Sequence, residues 1–131
     1  MPRFQRVPVP GDGDCLYHAV RAAFSPRCRY PPSVPRLRAA ARAWLLRAAR
    51  AAPSRASAAS LARAARRAGT SGAWGEHEEV QALAQVLRVR IRVWEGANGQ
   101  WIAFGDARTP TLHLENRANV HFDALVRQHA R

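Results

Sequence analysis

The most informative segment of the chain reads Gly11-Asp12-Gly13-Asp14-Cys15-Leu16-Tyr17, with one cysteine between an acidic, glycine-containing turn and an apolar stretch. Glycine permits backbone conformations that other residues resist, so this segment favours a tight turn followed by a helix. The unpaired N–H groups and the dipole at a helix start favour an anion there. The segment therefore predicts a reactive Cys15 with a lowered pKa.

Length and cysteine content limit the class of protein. With 131 residues, the chain has room for one domain with a core, which we expect to span residues 1–131 as a monomer. No apolar run is long enough to span a membrane, and the N-terminus lacks the apolar core of a signal peptide. Two cysteines are too few for a disulfide scaffold, which favours a reducing, cytoplasmic location, including the cytoplasm of a host cell.

The positive charge is concentrated in one part of the chain. All 21 basic residues are arginine, and the formal net charge is +12. Between Cys15 and Gly75 there are 12 arginines and no acid, whereas the charges of the remaining residues cancel. We interpret this as a solvated basic face with a compositional bias rather than a dedicated nucleic-acid site. Weak, non-specific binding to polyanions is still expected.

Hydrophobic periodicity predicts helices first and a small sheet afterwards. The predicted helices run from about Cys15 to Phe24, Arg36 to Ala52, Ser57 to Ala68 and Glu76 to Leu87, and the predicted strands cover Arg88–Trp94, Gln100–Phe104, Thr111–Glu115 and His121-Phe122. This order indicates an α+β domain with helices packed on a mainly antiparallel sheet. The two Ala/Arg helices have few large apolar residues, so we expect them to pack less firmly than the rest.

A cysteine nucleophile needs a base, and usually a group that orients the base. The candidate bases are His18, His77, His113, His121 and His129. His121 is favoured because Asp123 follows two residues later, and residues i and i+2 share one face of a strand. His113, which also lies in a strand-like segment, is the rival.

Three blocks of the chain together resemble the signature motifs of the ovarian tumour (OTU) family of cysteine proteases. They are Gly11–Tyr17, then Trp74-Gly75-Glu76-His77-Glu78-Glu79-Val80-Gln81-Ala82-Leu83-Ala84, then Asn119-Val120-His121-Phe122-Asp123-Ala124-Leu125. They occur in the family's order and at plausible separations. The resemblance implies a papain-like fold and an activity that cleaves ubiquitin from modified proteins at its C-terminal glycine.

The resemblance also implies roles for individual residues. Cys15 would be the nucleophile, His121 the general base and Asp123 the acid that orients it. Asp12, with the backbone N–H groups around Asp14 and Cys15, would form the oxyanion hole. Asp14 departs from the asparagine commonest in the family, and a carboxylate beside the thiolate would tend to raise the pKa of the cysteine. No cofactor is implied, and the cysteines and histidines lack a metal-binding spacing.

The tail of ubiquitin carries arginines and ends in two glycines, so its cleft must be narrow and acidic. The best candidates for that cleft are Trp74, Gly75 and Glu76. The alternative is structural, with Trp74 as a core anchor and the glutamates as a solvated first helical turn. The structural interpretation is favoured for Glu78 and Glu79, and both interpretations stay open for Trp74 and Glu76.

Three functions are compatible with these features. The leading hypothesis is a thiol isopeptidase that removes ubiquitin or a ubiquitin-like modifier. A second is a cysteine protease that processes a polyprotein, as the short length and biased composition fit a viral or bacterial segment acting in a host cell. A third is a non-catalytic module that holds nucleic acid or acidic protein on the helices between Arg36 and Arg67, or on a strand face formed by Arg88, Arg90 and Arg92.

Overall fold

The computed structural model describes residues 3–118 and 121–127, so Asn119, Val120 and His129 lie outside the described residues. The helices are α1 (Cys15–Phe24), α2 (Val34–Arg50), α3 (Arg55–Ala68) and α4 (His77–Leu87), and a 3-10 turn at Ser25–Arg27 follows α1. The strands are β1 (Phe4–Val7), β2 (Arg90–Glu95), β3 (Gln100–Phe104), β4 (Thr111–Arg117) and β5 (His121–Arg127). None of the described helices is long and apolar enough to cross a membrane.

The strands form one mixed sheet in the order β1-β5-β4-β2-β3. Among the described strands only β2 and β4 pair in parallel, so the predicted mainly antiparallel sheet is confirmed. Helix α1 packs on β4 and β5, α4 contacts β2 and β3, and α2 and α3 pack on each other and on α4. The sheet side of the core consists of Ile91, Val93, Leu112, Leu114, Phe122 and Ala124, all buried. The fold is therefore α+β, as the sequence predicts.

The two Ala/Arg helices are firmly packed, so the expectation of loose packing is wrong. Their buried residues are Leu37, Arg38, Ala41 and Leu45 from α2, and Ala64, Ala65 and Ala68 from α3. Small alanine side chains let two helices approach each other closely, so that even short side chains are buried between them. The arginines are not all solvated either, since only 5% of Arg38 is exposed.

Three strands differ from their predicted bounds, and the smallest difference is in β4, which was predicted to end at Glu115 and ends at Arg117. The strand predicted to begin at Arg88 begins at Arg90, because Arg88 adopts a left-handed conformation (φ 54°) that ends α4. Arg88 therefore does not share a strand face with Arg90 and Arg92. The short strand predicted at His121-Phe122 extends to Arg127, because it pairs with β1 on one side and β4 on the other. This longer strand lies in the interior of the sheet.

Candidate active site

Cys15 is the first residue of α1 and is almost fully buried, with 1% of its surface exposed. Its own N–H donates to the carbonyl oxygen of Asp12 (3.1 Å), which closes the turn before the helix. The backbone N–H groups of Leu16 and Phe122 lie within hydrogen-bonding reach of its sulfur. Since Phe122 is the second residue of β5, the start of α1 and the start of β5 meet at the thiol.

The pKa of Cys15 is raised, so the prediction of a lowered pKa is wrong for the protein without substrate. Burial is the largest cause, because it disfavours the charged thiolate. The hydrogen bonds from Phe122 and Leu16 act in the opposite direction but do not offset it, and the negative charges of Asp12 and Asp123 raise the pKa further. The thiol is therefore held mainly neutral until a base removes its proton.

His121 and Asp123 are joined by a short contact along β5. The distance from His121 Nε2 to Asp123 Oδ1 is 2.7 Å, as expected for two residues on one face of a strand. An ionised carboxylate only accepts hydrogen bonds, so the proton of the neutral ring lies on Nε2 and the basic nitrogen is Nδ1. The Nδ1–Cε1 edge faces the turn that precedes Cys15, since a Cβ added to Gly11 would lie 3.8 Å from Nδ1.

Asp123 is held by groups that the sequence did not reveal. It is fully buried, and the N–H of Val9 donates to the same Oδ1 atom that contacts His121 (3.0 Å). Its other oxygen, Oδ2, lies 3.2 Å from Arg117 and 3.9 Å from Arg6. A buried charge needs such partners, and both arginines come from neighbouring strands or their ends. These partners could not be predicted from the sequence, because they depend on the register between neighbouring strands.

The turn predicted to form the oxyanion hole is internally hydrogen bonded. The N–H of Asp14 donates to Oδ1 of Asp12 (2.9 Å), while the N–H of Cys15 donates to the Asp12 carbonyl. The side chain of Asp14 contacts Arg38 and the N–H of Gly72 (3.2 Å). Burial opposes ionisation of Asp14, but these hydrogen bonds and the charge of Arg38 outweigh it and lower the pKa of Asp14. The carboxylates that raise the pKa of Cys15 are those of Asp12 and Asp123.

A groove of about 350 Å³ is bounded on one side by Phe122, the residue whose N–H acts on the Cys15 thiol. Its lining residues are Gly75, Glu76, His77, Glu78, Asn116 and Phe122. Gly75 fits closely against Leu16, the residue after Cys15, and any Cβ at position 75 would collide with that side chain. Trp74 is 48% exposed, so its interpretation as a core anchor is wrong. Of the candidate substrate residues, Gly75 and Glu76 thus line this groove, and Trp74 directly precedes them in the chain.

Glu79 is fully buried, which corrects its prediction as part of a solvated first turn. It forms an ion pair with Arg67, with contacts of 2.8 and 3.1 Å, and also accepts the N–H of Glu76 (3.1 Å). Burial is the largest influence on Glu79 and raises its pKa. Arg67 also approaches Glu76 (3.3 Å) and Glu78 (3.5 Å), so it offsets part of the negative charge of the groove.

The other described histidines lie elsewhere. The ring of His113 packs against Phe4 (4.5 Å between centroids) and Trp101 (5.6 Å) on the face of the sheet away from the helices. His77 contacts Glu95 at 3.2 Å. His18, with Asp12 and Asp14, forms a group whose ligand atoms lie within 4.8 Å of one another, but the Asp14 carboxylate in it is already paired with Arg38.

A buried thiol at a helix start, next to an imidazole–carboxylate pair on a strand, defines a papain-like cysteine hydrolase. The comparison with protein families agrees with this class. The sequence profile of the family described as "OTU-like cysteine protease" matches residues 10–122, and the chain belongs to this family. A comparison with curated proteins finds no match.

Solved structures share the fold. An OTU domain in complex with ubiquitin has a TM-score of 0.77 at 19% identity, covering 94% of this chain and 69% of that chain. An OTU deubiquitinase from Wolbachia pipientis wMel has a TM-score of 0.70 at 17% identity, covering 95% and 89%. The Hazara virus OTU bound to ubiquitin has a TM-score of 0.66 at 24% identity, covering 97% and 83%. At these identities the similarity defines the fold.

Proposed function

We propose that this chain is a thiol-dependent isopeptidase that cleaves ubiquitin, or a ubiquitin-like modifier, after its C-terminal glycine. The observation that carries the proposal is the convergence of the Cys15 sulfur with β5, where His121 is fixed by Asp123 at 2.7 Å. Two of the OTU structures with the same fold are complexes with ubiquitin, which supports this class of substrate.

The reaction has two stages in this proposal. His121 Nδ1 takes the thiol proton while the sulfur of Cys15 attacks the carbonyl carbon of the terminal glycine. The carbon–nitrogen bond then breaks, and His121 returns the proton to the departing lysine amine. In the second stage His121 deprotonates a water molecule that attacks the thioester, which releases the modifier and restores the thiol. Asp123 stabilises the protonated imidazole in both stages.

The raised pKa of Cys15 suits this sequence of steps, because the sulfur gives up its proton to a positioned base rather than existing beforehand as a stable thiolate. A negative oxygen formed during attack needs hydrogen-bond donors. An oxyanion bound at the turn would replace the oxygens of Asp12 as the acceptor for the N–H groups of Asp14 and Cys15. In this proposal, the loss of two internal hydrogen bonds is compensated by two bonds to a charged oxygen.

The groove supports a substrate with a thin, basic tail. Gly75 brings the backbone of the groove against Leu16, the residue after Cys15, and Glu76 is exposed at the border of the groove. Arginines of a ubiquitin tail would compete with Arg67 for Glu76 and Glu78, whose contacts with Arg67 are 3.3 and 3.5 Å long. The exposed Trp74 would cover the glycine residues of the tail. These roles agree with the cleft predicted from the sequence.

The experiment is hydrolysis of a fluorogenic amide at the C-terminus of ubiquitin, compared with a panel of ubiquitin-like C-terminal probes. Cys15→Ala should abolish turnover and keep the wild-type circular dichroism spectrum. Cys28→Ala is the matched control, since it removes the other, more exposed thiol and should leave turnover unchanged. Full activity in Cys15→Ala would refute the proposal. Cleavage of linear Gly-Gly junctions without cleavage of the probes would favour a polyprotein-processing protease instead.

A further inference from the structure

Arg38 occupies an unusual position for an arginine. It is 5% exposed in the middle of α2, whereas Arg36, Arg42, Arg47 and Arg50 of the same helix are exposed. A buried guanidinium is costly unless its charge is paired and its five N–H groups are hydrogen bonded. The contacts of Arg38 therefore indicate what this position provides.

Three hydrogen bonds of Arg38 reach the two residues immediately before the nucleophile. Nε and Nη2 of Arg38 donate to Oδ1 of Asp14, at 2.8 and 2.5 Å. Nη2 also donates to the carbonyl oxygen of Gly13 (3.2 Å). On the other side of Cys15 in the sequence, the guanidinium lies 4.2 Å from the ring centre of Tyr17. Arg38 thus contacts the chain before and after Cys15.

The remaining contacts tie this turn to two further segments. Nη1 donates to the carbonyl oxygens of Arg67 (3.1 Å) and Ala68 (3.2 Å) at the end of α3. Nη2 donates to the carbonyl oxygen of Ala73 (2.8 Å), one residue before Trp74. A single guanidinium therefore joins the nucleophile turn, the end of α3 and the segment leading into the candidate substrate groove.

We propose that Arg38 is a positioning residue for Cys15, and that Asp14 is an aspartate because its charge matches Arg38. Arg38 positions Cys15 by holding Asp14 and Gly13. These two residues determine where α1 begins and therefore where the sulfur lies relative to His121. An error of about 1 Å in the position of a reacting group is enough to cost roughly 100-fold in rate. The link to turnover rests on the proposed isopeptidase activity, whereas the link to the thiol does not.

The test compares four variants in a Cys28→Ala background, which leaves Cys15 as the only thiol. They are Arg38→Lys, Arg38→Met, Asp14→Asn and the control Arg47→Met, which removes the same charge from an exposed position of α2. Turnover of the ubiquitin reporter gives kcat and KM. The second measurement is the rate at which iodoacetamide alkylates Cys15 between about pH 6 and 10, a range over which cysteine thiols titrate. This rate depends on the thiol alone and not on substrate binding.

Arg38→Met should lower kcat roughly 100-fold and change KM by less than about threefold, because positioning acts on the reacting atoms more than on binding. It should also shift the pH midpoint of alkylation. Arg38→Lys should fall between Arg38→Met and wild type, as one ammonium replaces a fork of donors. Asp14→Asn keeps an oxygen that accepts from Arg38 but removes the negative charge that pairs with the buried guanidinium, so its kcat should fall, by less than that of Arg38→Met. Arg47→Met should match wild type.

A purely structural role would lower the unfolding midpoint while the folded protein kept its kcat and its alkylation profile. A folded Arg38→Met with kcat within about twofold of wild type would overturn the proposal. If Arg38→Met does not fold, the same criterion applies to Arg38→Lys. If the wild-type chain does not cleave the ubiquitin reporter, the proposed function is wrong. The positioning role is tested separately, because an unchanged alkylation profile in the folded Arg38 variants would overturn it.

Discussion

Replacement of Asp123 by asparagine removes one charge from the candidate site without changing its shape. In the native site, Oδ1 accepts hydrogen bonds from His121 and from the N–H of Val9, while Oδ2 faces Arg117. An amide has one oxygen and one NH2 group. Its oxygen must take the Oδ1 position, because an NH2 group there would face the N–H of Val9. The imidazole therefore keeps its tautomer in Asp123→Asn, with Nδ1 still basic.

The cost follows from what this asparagine still provides. A hydrogen bond to a charged acceptor contributes about 1.5–3 kcal/mol, against about 0.5–1.5 kcal/mol for a neutral one, so the protonated imidazole loses about 1–1.5 kcal/mol. Arg117 then lacks its counter-charge, and since its side chain is 48% exposed this adds at most about 1 kcal/mol. The sum, about 1–2.5 kcal/mol, corresponds to a loss of kcat of roughly 5- to 60-fold, at about 1.4 kcal/mol per tenfold.

The thiol should respond in the opposite direction. The negative charge of Asp123 raises the pKa of Cys15. Removal of this charge should therefore lower the pKa of Cys15 and speed its alkylation by iodoacetamide at about pH 7, where cysteine thiols are mostly protonated. Turnover of the ubiquitin reporter and alkylation are measured on the same samples, with Asp106→Asn as an exposed control. A loss of kcat greater than about 1000-fold in the folded variant would refute the inferred orientation of the amide, because it would indicate the wrong tautomer. Slower alkylation would refute the electrostatic reasoning.

Two further variants test the surroundings of the site. Gly13→Ala should lower the free energy of unfolding in urea by about 1–3 kcal/mol and reduce kcat sharply, because the added Cβ would overlap the carbonyl of Gly72. The control is Gly96→Ala, which should resemble wild type because its Cβ would lie 3.5 Å from the nearest oxygen. Burial raises the pKa of Glu79, so the stability it contributes is fully present below the unfolded-state pKa and is lost as pH rises through the folded-state value. Glu79→Gln, which cannot ionise, should therefore gain stability relative to wild type as pH increases through that range, whereas an equal response in Glu78→Gln would contradict this assignment.

Helices and strands with a regular hydrophobic pattern could be predicted from the sequence. The start of α1 at Cys15 and its end at Phe24 are as predicted, because both depend on local turn chemistry. The shared face of His121 and Asp123 follows from the alternation of a strand and is also confirmed. The bounds of β5 were wrong because its apolar run is stabilised by strands on both sides, which local periodicity does not reveal.

The electrostatics of the site depend on contacts between distant parts of the chain. Helical periodicity placed the arginines of α2 on a solvated face, yet Arg38 is buried because its acceptors come from Gly13, Asp14, Arg67, Ala68 and Ala73. The pKa of Cys15 was predicted from its position at a helix start. Burial, which requires α1 to pack on the sheet, has the larger effect. These interactions are absent from any local pattern.

The burial of Cys15 also has a consequence for oxidative damage. Peroxide attacks thiolates that solvent reaches, and it converts them by stages to acids that are not reduced again. Cys15 is 1% exposed with a raised pKa, so the resting protein presents little thiolate to oxidants. We expect oxidants to reach the more exposed Cys28 first. In the proposed mechanism, Cys15 is thus protected until a substrate and His121 act on it together.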